Sequence, residues 1–89
     1  MTSLHIEHSV SKLEPWLETF QSFNKFRAEG GVTAVQLRHG VDDPNYVAVD
    51  LEFDSVERAR AFLGQLETTI WPNSVHFEGT PTSHILETI

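Results

Sequence analysis

The segment from Asn45 to Leu66, NYVAVDLEFDSVERARAFLGQL, constrains the fold more than any other part of this chain. It opens with alternating apolar and polar residues, a period of two that is typical of a strand with one buried face. Asp54 follows directly, with Glu57 three positions later, and this spacing favours a helix capped by Asp54. Apolar residues then recur at helical spacing as far as Leu66. The segment therefore predicts a strand and a helix that pack on one core.

The residues before this segment predict a first strand and a long helix. Apolar and polar residues alternate over residues 3–9, which indicates a strand. The helix is expected from about Ser11 to Glu29, with Ser9 or Ser11 as its cap. Phe26 lies off the apolar stripe of this helix, so we expect it to be exposed or to contact another chain. The stripe itself consists of Leu13, Trp16, Leu17, Phe20, Phe23 and Arg27.

Two further strands are expected in the remaining sequence. Thr33–His39 alternates in the manner of a strand. Residues 72–81 contain prolines and glycines that are typical of a loop. Ser83–Thr88 predicts a short final strand, whose core-facing residue is either Ile85 or Leu86.

The order of these elements predicts an α+β fold of the ferredoxin-like βαββαβ type. In this arrangement a four-stranded antiparallel sheet carries two helices on one face. We expect a single domain over residues 1–89, because a chain of this length is typical of one domain. The helix-free sheet face mixes polar and small apolar residues, so we expect a second copy of the chain to cover it in a homodimer. Its expected residues are His5, Glu7, Ala34, Gln36, Arg38, Tyr46, Ala48, Asp50 and Glu52.

Composition excludes several classes of partner and site. Thirteen acidic residues oppose six basic ones, a formal net charge of −7, which argues against nucleic acid and anionic membranes as partners. No apolar stretch approaches the roughly 20 residues that a membrane-spanning helix needs. The chain has no cysteine, which excludes disulfides and thiolate metal ligands. The absence of disulfides and of a secretory signal at the N-terminus indicates a cytoplasmic location.

The stretch VDDPNYVAVDLEFDSVERARAFL resembles the middle of dimeric α-β barrel proteins. The similar features are an Asp-Asp-Pro-Asn turn, an alternating strand, an acidic cap and an alanine-containing helix. GTPTSHILE is similar to the closing strand of small members of this superfamily, which includes the antibiotic-biosynthesis monooxygenase-like domains. The resemblance covers nearly the whole chain as an order of elements, and its motifs are structural. It implies that two ferredoxin-like sheets meet face to face in a dimeric barrel.

The resemblance also implies a place for a ligand, because small-molecule pockets in this superfamily usually lie between the sheet and its own helices. Some cyclase-type members place one histidine on the first strand and another after the second helix, and His8 and His76 are similar in position. Histidine titrates near neutral pH, so this pair is a candidate acid and base for an enolisable or phenolic substrate. The alternative is a packed core with two partly exposed histidines. The expected pocket residues are Trp16, Phe20, Phe23, Phe62 and Trp71, with Val35 and Leu37 among the strand residues behind them.

Neither a cofactor nor a metal ion is expected. The oxygenase-type and haem-degrading members of the superfamily use Asn and Trp, with His in the haem enzymes. The corresponding residue types here have no spacing that matches that pattern; they are Asn24, Trp16, Trp71 and His76. Candidate Zn or Mn ligands are scattered over several strands, namely His5, Glu7, Asp50, Glu52 and His84. We expect instead that Arg38 pairs with Asp50 or Glu52.

Two functions remain open at this point. The first is a small enzyme, monooxygenase- or cyclase-like, that acts without a cofactor on an apolar aromatic or polyketide-like metabolite. The second is a non-catalytic dimeric module that binds a ligand or a partner protein. A cavity of roughly 300 Å³ or more between helices and sheet favours the enzyme. A space filled by Trp16, Phe20 and Phe23 favours the module.

Overall fold

A four-stranded antiparallel sheet, with strand order β2-β3-β1-β4, forms the framework of the protein. The computed structural model describes residues 1–74 and 76–89. A π-helical turn (Leu66–Ile70) and a 3-10 turn (Trp71–Asn73) join the last helix to the last strand. The topology confirms the predicted ferredoxin-like fold. The elements are β1 (Thr2–Val10), α1 (Leu13–Ser22), α2 (Asn24–Glu29), β2 (Ala34–His39), β3 (Tyr46–Phe53), α3 (Val56–Gln65) and β4 (Phe77–Glu87).

The core lies between the sheet and the helices, on the apolar faces of β1 and β3. These central strands pair so that Leu4 lies opposite Leu51 and Ile6 lies opposite Val49. Burial alternates along both strands, as the period of two in the sequence predicts. The buried apolar residues are Leu4, Ile6, Val10, Trp16, Val47, Val49, Leu51, Phe53, Ala59, Phe62 and Leu66.

The long helix predicted after β1 is divided, and neither predicted serine caps it. Lys12 occupies the N-cap position with no side-chain hydrogen bond, so the expectation for Ser9 or Ser11 is wrong. The division falls at Phe23, whose backbone N–H donates to Phe20 O at 3.1 Å, three residues back rather than four. Helical hydrogen bonding resumes beyond it, so α2 follows directly after this tight turn.

The cap of α3 is also displaced by one residue from its predicted position. Ser55 has extended backbone angles and its hydroxyl accepts the N–H of Arg58 at 3.2 Å. Asp54, the predicted cap, is exposed. Two potential capping residues stand side by side in the sequence, and the position at which β3 ends decides which one reaches the first turn.

The last strand is longer than predicted. It begins at Phe77, so the loop expected over residues 72–81 and the short strand Ser83–Thr88 are both wrong in extent. Ile85 is half-buried and packs on the core, whereas Leu86 is 50% exposed, which settles the facing of this strand.

A β-bulge explains why β4 tolerates residues that are typical of loops. On β1, only His8 lies between two residues that pair with β4. The β4 partners of those two residues are farther apart, and the extra β4 residues between them include Gly79 and Pro81. Gly79 has a φ of +83°, which other residues rarely adopt. Pro81 lies in the unpaired stretch between Glu78 and Thr82 on an edge strand, where proline is tolerated. The flanking pairs are Glu7 with Thr82 and Ser9 with Glu78.

Two expectations about packing are corrected. Phe26 is half-buried rather than exposed, and its ring lies 5.3 Å from that of Phe62. Val35 and Leu37 lie on the helix side of the sheet but are 44% and 38% exposed. The helical layer sits over the other strands, with α3 in contact with β1, β3 and β4. The edge strand β2 is thus left partly open.

Candidate functional site

A cavity of about 530 Å³ lies between the helices and the sheet. The strands β1 and β3 form its floor, and α1, α2, α3 and the turns before β4 form its sides. Most of its wall is apolar and aromatic, with histidine, arginine, threonine, serine and asparagine at a few points. The lining residues are Ile6, His8, Trp16, Thr19, Phe20, Phe23, Phe26, Arg27, Val49, Leu51, Phe62, Leu66, Thr69, Ile70, Trp71, Asn73, Ser74, His76 and Phe77.

Aromatic rings in contact with one another shape the helical side of the cavity. The rings of Trp16 and Phe20 lie 5.2 Å apart, one helical turn from each other on α1. The rings of Phe23 and Phe26, at the junction of α1 and α2, meet edge to face at 6.1 Å. Such pairs hold their rings in defined orientations. The wall is therefore suited to a flat apolar molecule.

His8 is the most deeply buried titratable group on the floor of the cavity, at 5% exposed. Its ring lies between Trp16 at 5.5 Å and Phe77 at 4.3 Å. Burial in these apolar surroundings lowers the pKa of His8, so the neutral imidazole is favoured. Among the described residues, the buried Nδ1 of His8 has no hydrogen-bond partner. The ring therefore contains a buried polar atom without a partner, which is uncommon.

His76 also lines the cavity, directly before β4, and is half-buried. Its Nε2 is 2.9 Å from the hydroxyl of Thr19 on α1, a hydrogen bond in which either group can donate. Its backbone carbonyl accepts the N–H of Ser11 at 2.9 Å. These two bonds connect the segment before β4 to Ser11, just before α1, and to Thr19 within α1. They hold the ring at the cavity wall.

Arg27 is a functional candidate that sequence reasoning placed on the helix stripe but did not assign to the site. It is only 6% exposed. Its guanidinium donates a hydrogen bond to the side-chain oxygen of Asn24 and stacks over the ring of Phe20, with its central carbon 3.7 Å from the ring centroid. Burial lowers the pKa of Arg27, although a guanidinium remains charged at neutral pH.

The two predicted catalytic histidines and the five predicted aromatic pocket residues line this one cavity. The set comprises His8, His76, Trp16, Phe20, Phe23, Phe62 and Trp71. The catalytic role assigned to the two histidines stays a prediction, because position on a shared wall does not demonstrate chemistry. Val35 and Leu37 are not part of the wall, since they lie beyond the helical layer. Thr19, Phe26 and Phe77 were missed, and only their places in the folded chain reveal them.

A hydrogen-bonded chain of charged groups crosses the opposite, helix-free sheet face. His5 lies between two carboxylates, with Nδ1 2.6 Å from Asp50 and Nε2 2.7 Å from Glu7. The hydroxyl of Tyr46 donates to Glu7, and Arg38 donates to Asp50 at 2.6 Å. The bond to Asp50, followed by that to Glu7, raises the pKa of His5. The predicted pairing of Arg38 with Asp50 is thus present.

The same contacts shift the pKa values of the neighbouring groups. The hydrogen bond from Tyr46, then that from His5, lowers the pKa of Glu7. The hydrogen bond to Glu7 raises the pKa of Tyr46. Over residues 1–74 and 76–89, no group of three or more histidine and acidic side chains has an arrangement that would hold a metal ion. No helix in this described part of the chain is both long and apolar enough to cross a membrane.

The sequence matches no protein-family model and no curated protein, but the fold matches solved structures. A structure described as an antibiotic biosynthesis monooxygenase aligns with a TM-score of 0.74 at 10% identity, over 100% of this chain and 99% of that one. A protein of unknown function from Nitrosomonas europaea aligns with a TM-score of 0.77 at 18% identity, over 99% and 88% of the two chains. A dimeric ferredoxin-like protein from an uncultured marine organism aligns with a TM-score of 0.65 at 14% identity, over 99% and 95%. These comparisons confirm the resemblance at the level of architecture: the chain has the ferredoxin-like fold of structures that include an antibiotic biosynthesis monooxygenase.

Proposed function

We propose that this chain is a homodimeric enzyme that acts, without a bound cofactor, on an apolar aromatic or polyketide-like metabolite in a monooxygenase- or cyclase-like reaction. The observation that carries the proposal is the cavity of about 530 Å³, which lies within the usual size range of small-molecule sites, roughly 300–1,000 Å³. Trp16, Phe20 and Phe23 line this space instead of filling it. Similarity of fold to a structure called a monooxygenase gives additional support.

His8 is the proposed base. Its lowered pKa keeps the ring neutral at pH 7, and its buried Nδ1 has no partner among the described residues. A neutral imidazole takes a proton from an acidic C–H or O–H group that lies within hydrogen-bond reach. His76 is the proposed acid, and its bond to Thr19 orients the ring.

Either of two reactions balances with these groups. In the monooxygenase reaction, the deprotonated substrate transfers electrons to O₂, an activated CH₂ becomes C=O, and the second oxygen atom leaves as water. In the cyclase reaction, the enolate carbon attacks a carbonyl carbon of the same molecule, and water is lost without an oxidant. The requirement for O₂ distinguishes the two.

The homodimer is proposed because it would cover the helix-free sheet face. That face combines the charged chain around His5 with Tyr46 and Leu86, which are 38% and 50% exposed. His5, Glu7, Asp50 and Arg38 are already paired within one protomer, so a twofold partner would not leave these charges uncompensated. One structure of the same fold is described as dimeric. Light scattering at micromolar concentration should give about twice the chain mass of 10.1 kDa, and a monomer would contradict this part of the proposal.

A non-catalytic dimeric module that binds a ligand or a partner protein is the second candidate. The observation that favours it is the close packing of His8 between Trp16 and Phe77, which leaves the ring little freedom to move. A proton-transfer residue needs only small movement, so this packing does not exclude catalysis. The module would bind aromatic compounds without converting them.

Turnover of anthrone, whose CH₂ group is activated by two aromatic rings, tests the proposed function. We expect O₂ uptake with formation of anthraquinone, and a loss of about 10²–10⁴-fold in turnover for His8→Gln. His39→Gln is the matched control, because His39 is exposed and does not line the cavity. Equal loss in both variants would contradict the role of His8. A panel of enolisable and phenolic compounds is tested in air and under nitrogen. Saturable binding of these compounds without turnover of any of them would favour the module.

A further inference from the structure

Arg27 is a buried cation in a cavity that is lined mostly by apolar and aromatic side chains. Its side chain is 6% exposed, and it lines the cavity beside Phe20 and Phe23. Most arginines lie at the surface, and those that are buried normally pair with a carboxylate. The group that compensates the charge of a buried guanidinium therefore indicates the role of that arginine.

No carboxylate lies within 4 Å of Arg27 among residues 1–74 and 76–89. Its one side-chain acceptor there is the amide oxygen of Asn24, which is neutral. The nearest acidic residue in the sequence, Glu29, is turned to Lys25 at 3.9 Å. The remaining ion pairs of the described residues join His5 to Glu7, His5 to Asp50 and Arg38 to Asp50, all on the other face of the sheet.

The ring of Phe20 compensates part of the charge. The guanidinium carbon lies 3.7 Å from the ring centroid, which is a cation–π geometry. An aromatic face and an amide oxygen together still leave donors of the five-donor fork without strong acceptors. Removing one charge from water is unfavourable unless an opposite charge comes close. An anion that reaches Arg27 from the cavity would therefore complete the site.

The geometry points to a specific ligand class: a flat aromatic compound with one oxyanion, a carboxylate or an ionised phenol or enolate, with Arg27 as its counter-charge. The aromatic wall accepts the ring system, and the planar fork of the guanidinium matches two oxygens or one. Long-range attraction does not explain such a preference, because the chain has a formal net charge of −7 and repels anions as a whole. The preference must arise locally, at Arg27.

A second copy of the chain does not supply this anion in the proposed dimer. The proposed interface uses the face that carries His5 and Arg38, whereas Arg27 lies on the helix side of the sheet. A ligand is thus the remaining source of negative charge. The inference rests on the proposed function only in taking the cavity as the ligand site. An enolate or phenolate formed by proton transfer to His8 would be a species that Arg27 stabilises.

Calorimetry with paired ligands tests the inference on the unsubstituted protein. 2-Naphthoate and 2-naphthamide have nearly the same shape, and only the first is charged. We expect 2-naphthoate to bind at least about tenfold more tightly, the scale of a charge-assisted hydrogen bond. Equal affinity, or no binding of either compound, would overturn the inference. 4-Nitrophenol, measured on both sides of its own pKa, shows whether an ionised phenol is accepted in place of a carboxylate.

Variants then assign the preference to one side chain. Arg27→Met should abolish the preference for 2-naphthoate while 2-naphthamide binds as before, and Arg27→Lys should keep part of it. Arg60→Gln removes the same charge from an exposed position of α3 and should leave the preference unchanged. Arg27→Met should fold at least as stably as the unsubstituted protein without ligand, since an unpaired buried charge is removed. An equal effect of Arg60→Gln would show a general charge effect and overturn the assignment.

The outcomes also separate this inference from the proposed function. A tenfold preference for the anion without turnover supports an anion-binding module and leaves the role of Arg27 intact. Turnover of neutral substrates without any preference for anions supports the enzyme and contradicts the role of Arg27. The comparison of the two naphthalene ligands requires no variant, so it is decisive even where Arg27→Met does not fold.

Discussion

Phe53 and Phe62 form a matched pair that reports whether the cavity is open in solution. Their rings are 5.5 Å apart and their side chains are 0% and 2% exposed. Phe62 lines the cavity, whereas Phe53 belongs to the packed core at the end of β3. Truncation of each to alanine removes the same atoms from nearly the same depth. The two variants differ in what lies behind the ring, and also in backbone, because Phe53 lies in a strand and Phe62 lies in a helix, where alanine is better tolerated.

The expected costs follow from that difference. Truncation of a well-packed phenylalanine lowers the free energy of unfolding by about 3–5 kcal/mol, which includes the void that remains. The transfer of the ring from water accounts for about 1.5–3 kcal/mol of this. At Phe62 the removed volume joins a space that is already open, so the transfer part dominates. Phe53→Ala should therefore cost about 1.5–2 kcal/mol more than Phe62→Ala.

Urea unfolding followed by circular dichroism measures both costs. The variants are compared at one protomer concentration, because the stability of a dimer depends on concentration. Equal m-values would show that the unfolding transitions are comparable. Where an alanine variant does not fold, the corresponding leucine variants should preserve the same order. Equal costs at Phe53 and Phe62 would refute an open cavity and weaken the proposed function with it.

Four further substitutions test local features of the fold by the same unfolding measurement. Ser55→Ala should cost about 0.5–2 kcal/mol through loss of the cap, whereas Asp54→Ala should change stability little; the reverse order would restore Asp54 as the cap. Gly30→Ala should cost about 1–3 kcal/mol, because its new Cβ would lie 2.5 Å from Cδ1 of Phe62 and displace that ring. Gly64→Ala, with open space around it inside α3, should instead stabilise by about 0.5–1 kcal/mol, and a loss at this position would contradict the helix assignment.

The sequence was sufficient for the fold because burial in β1 and β3 follows a strict alternation. One face of each strand is apolar, and a slip of one residue would turn every side chain to the wrong side. The extent of β4 was not accessible in the same way. Gly79 and Pro81 are typical of loops, and only the edge position and the bulge opposite His8 make them compatible with a strand.

The sequence predicts which side of a strand or helix each site residue lies on. It does not predict which hydrogen-bond or ion-pair partners that residue has. Alternation placed His8 on the buried face, and helical spacing placed Trp16 and Phe20 on the same side. Helical spacing also placed Arg27 on the stripe, but a long side chain on a stripe usually extends its charged end to water. That its end is buried without a carboxylate is a tertiary fact, as is the unpartnered Nδ1 of His8. One sequence cannot report either.

Two histidines with opposite shifts give a prediction for the effect of pH on stability. Each ring nitrogen of His5 faces a carboxylate, Asp50 or Glu7, so the ring donates both hydrogen bonds as an imidazolium. These bonds raise its pKa above the ordinary value of 6.5. The residue that pairs with His5 on β4 is His84. The stabilisation is fully present below pH 6.5 and is lost as the pH rises through the raised value.

The shift of His8 acts in the opposite direction, and in a different range of pH. Burial lowers its pKa below 6.5, so the unfolded chain takes up a proton at this position before the folded chain does. The stability that His8 permits is present above pH 6.5 and is lost as the pH falls through the lowered value. The lowered pKa of Glu7 affects stability only as the pH falls below the ordinary value of 4.5.

The free energy of unfolding should therefore have a maximum near pH 6.5, with each histidine responsible for one side. On either side the slope contributed by one residue is at most about 1.4 kcal/mol per pH unit. His5→Gln should flatten the decline above pH 6.5 and leave the decline below it, and His8→Gln should do the reverse. Urea titrations from about pH 5 to pH 8, the range in which histidine titrates, measure both limbs. In the contrary outcome, one variant flattens the decline in stability on both sides of the maximum without moving the maximum. That result would show that the two rings do not titrate independently. A decline above pH 6.5 that persists in His5→Gln would show that the imidazolium between Asp50 and Glu7 does not stabilise the fold.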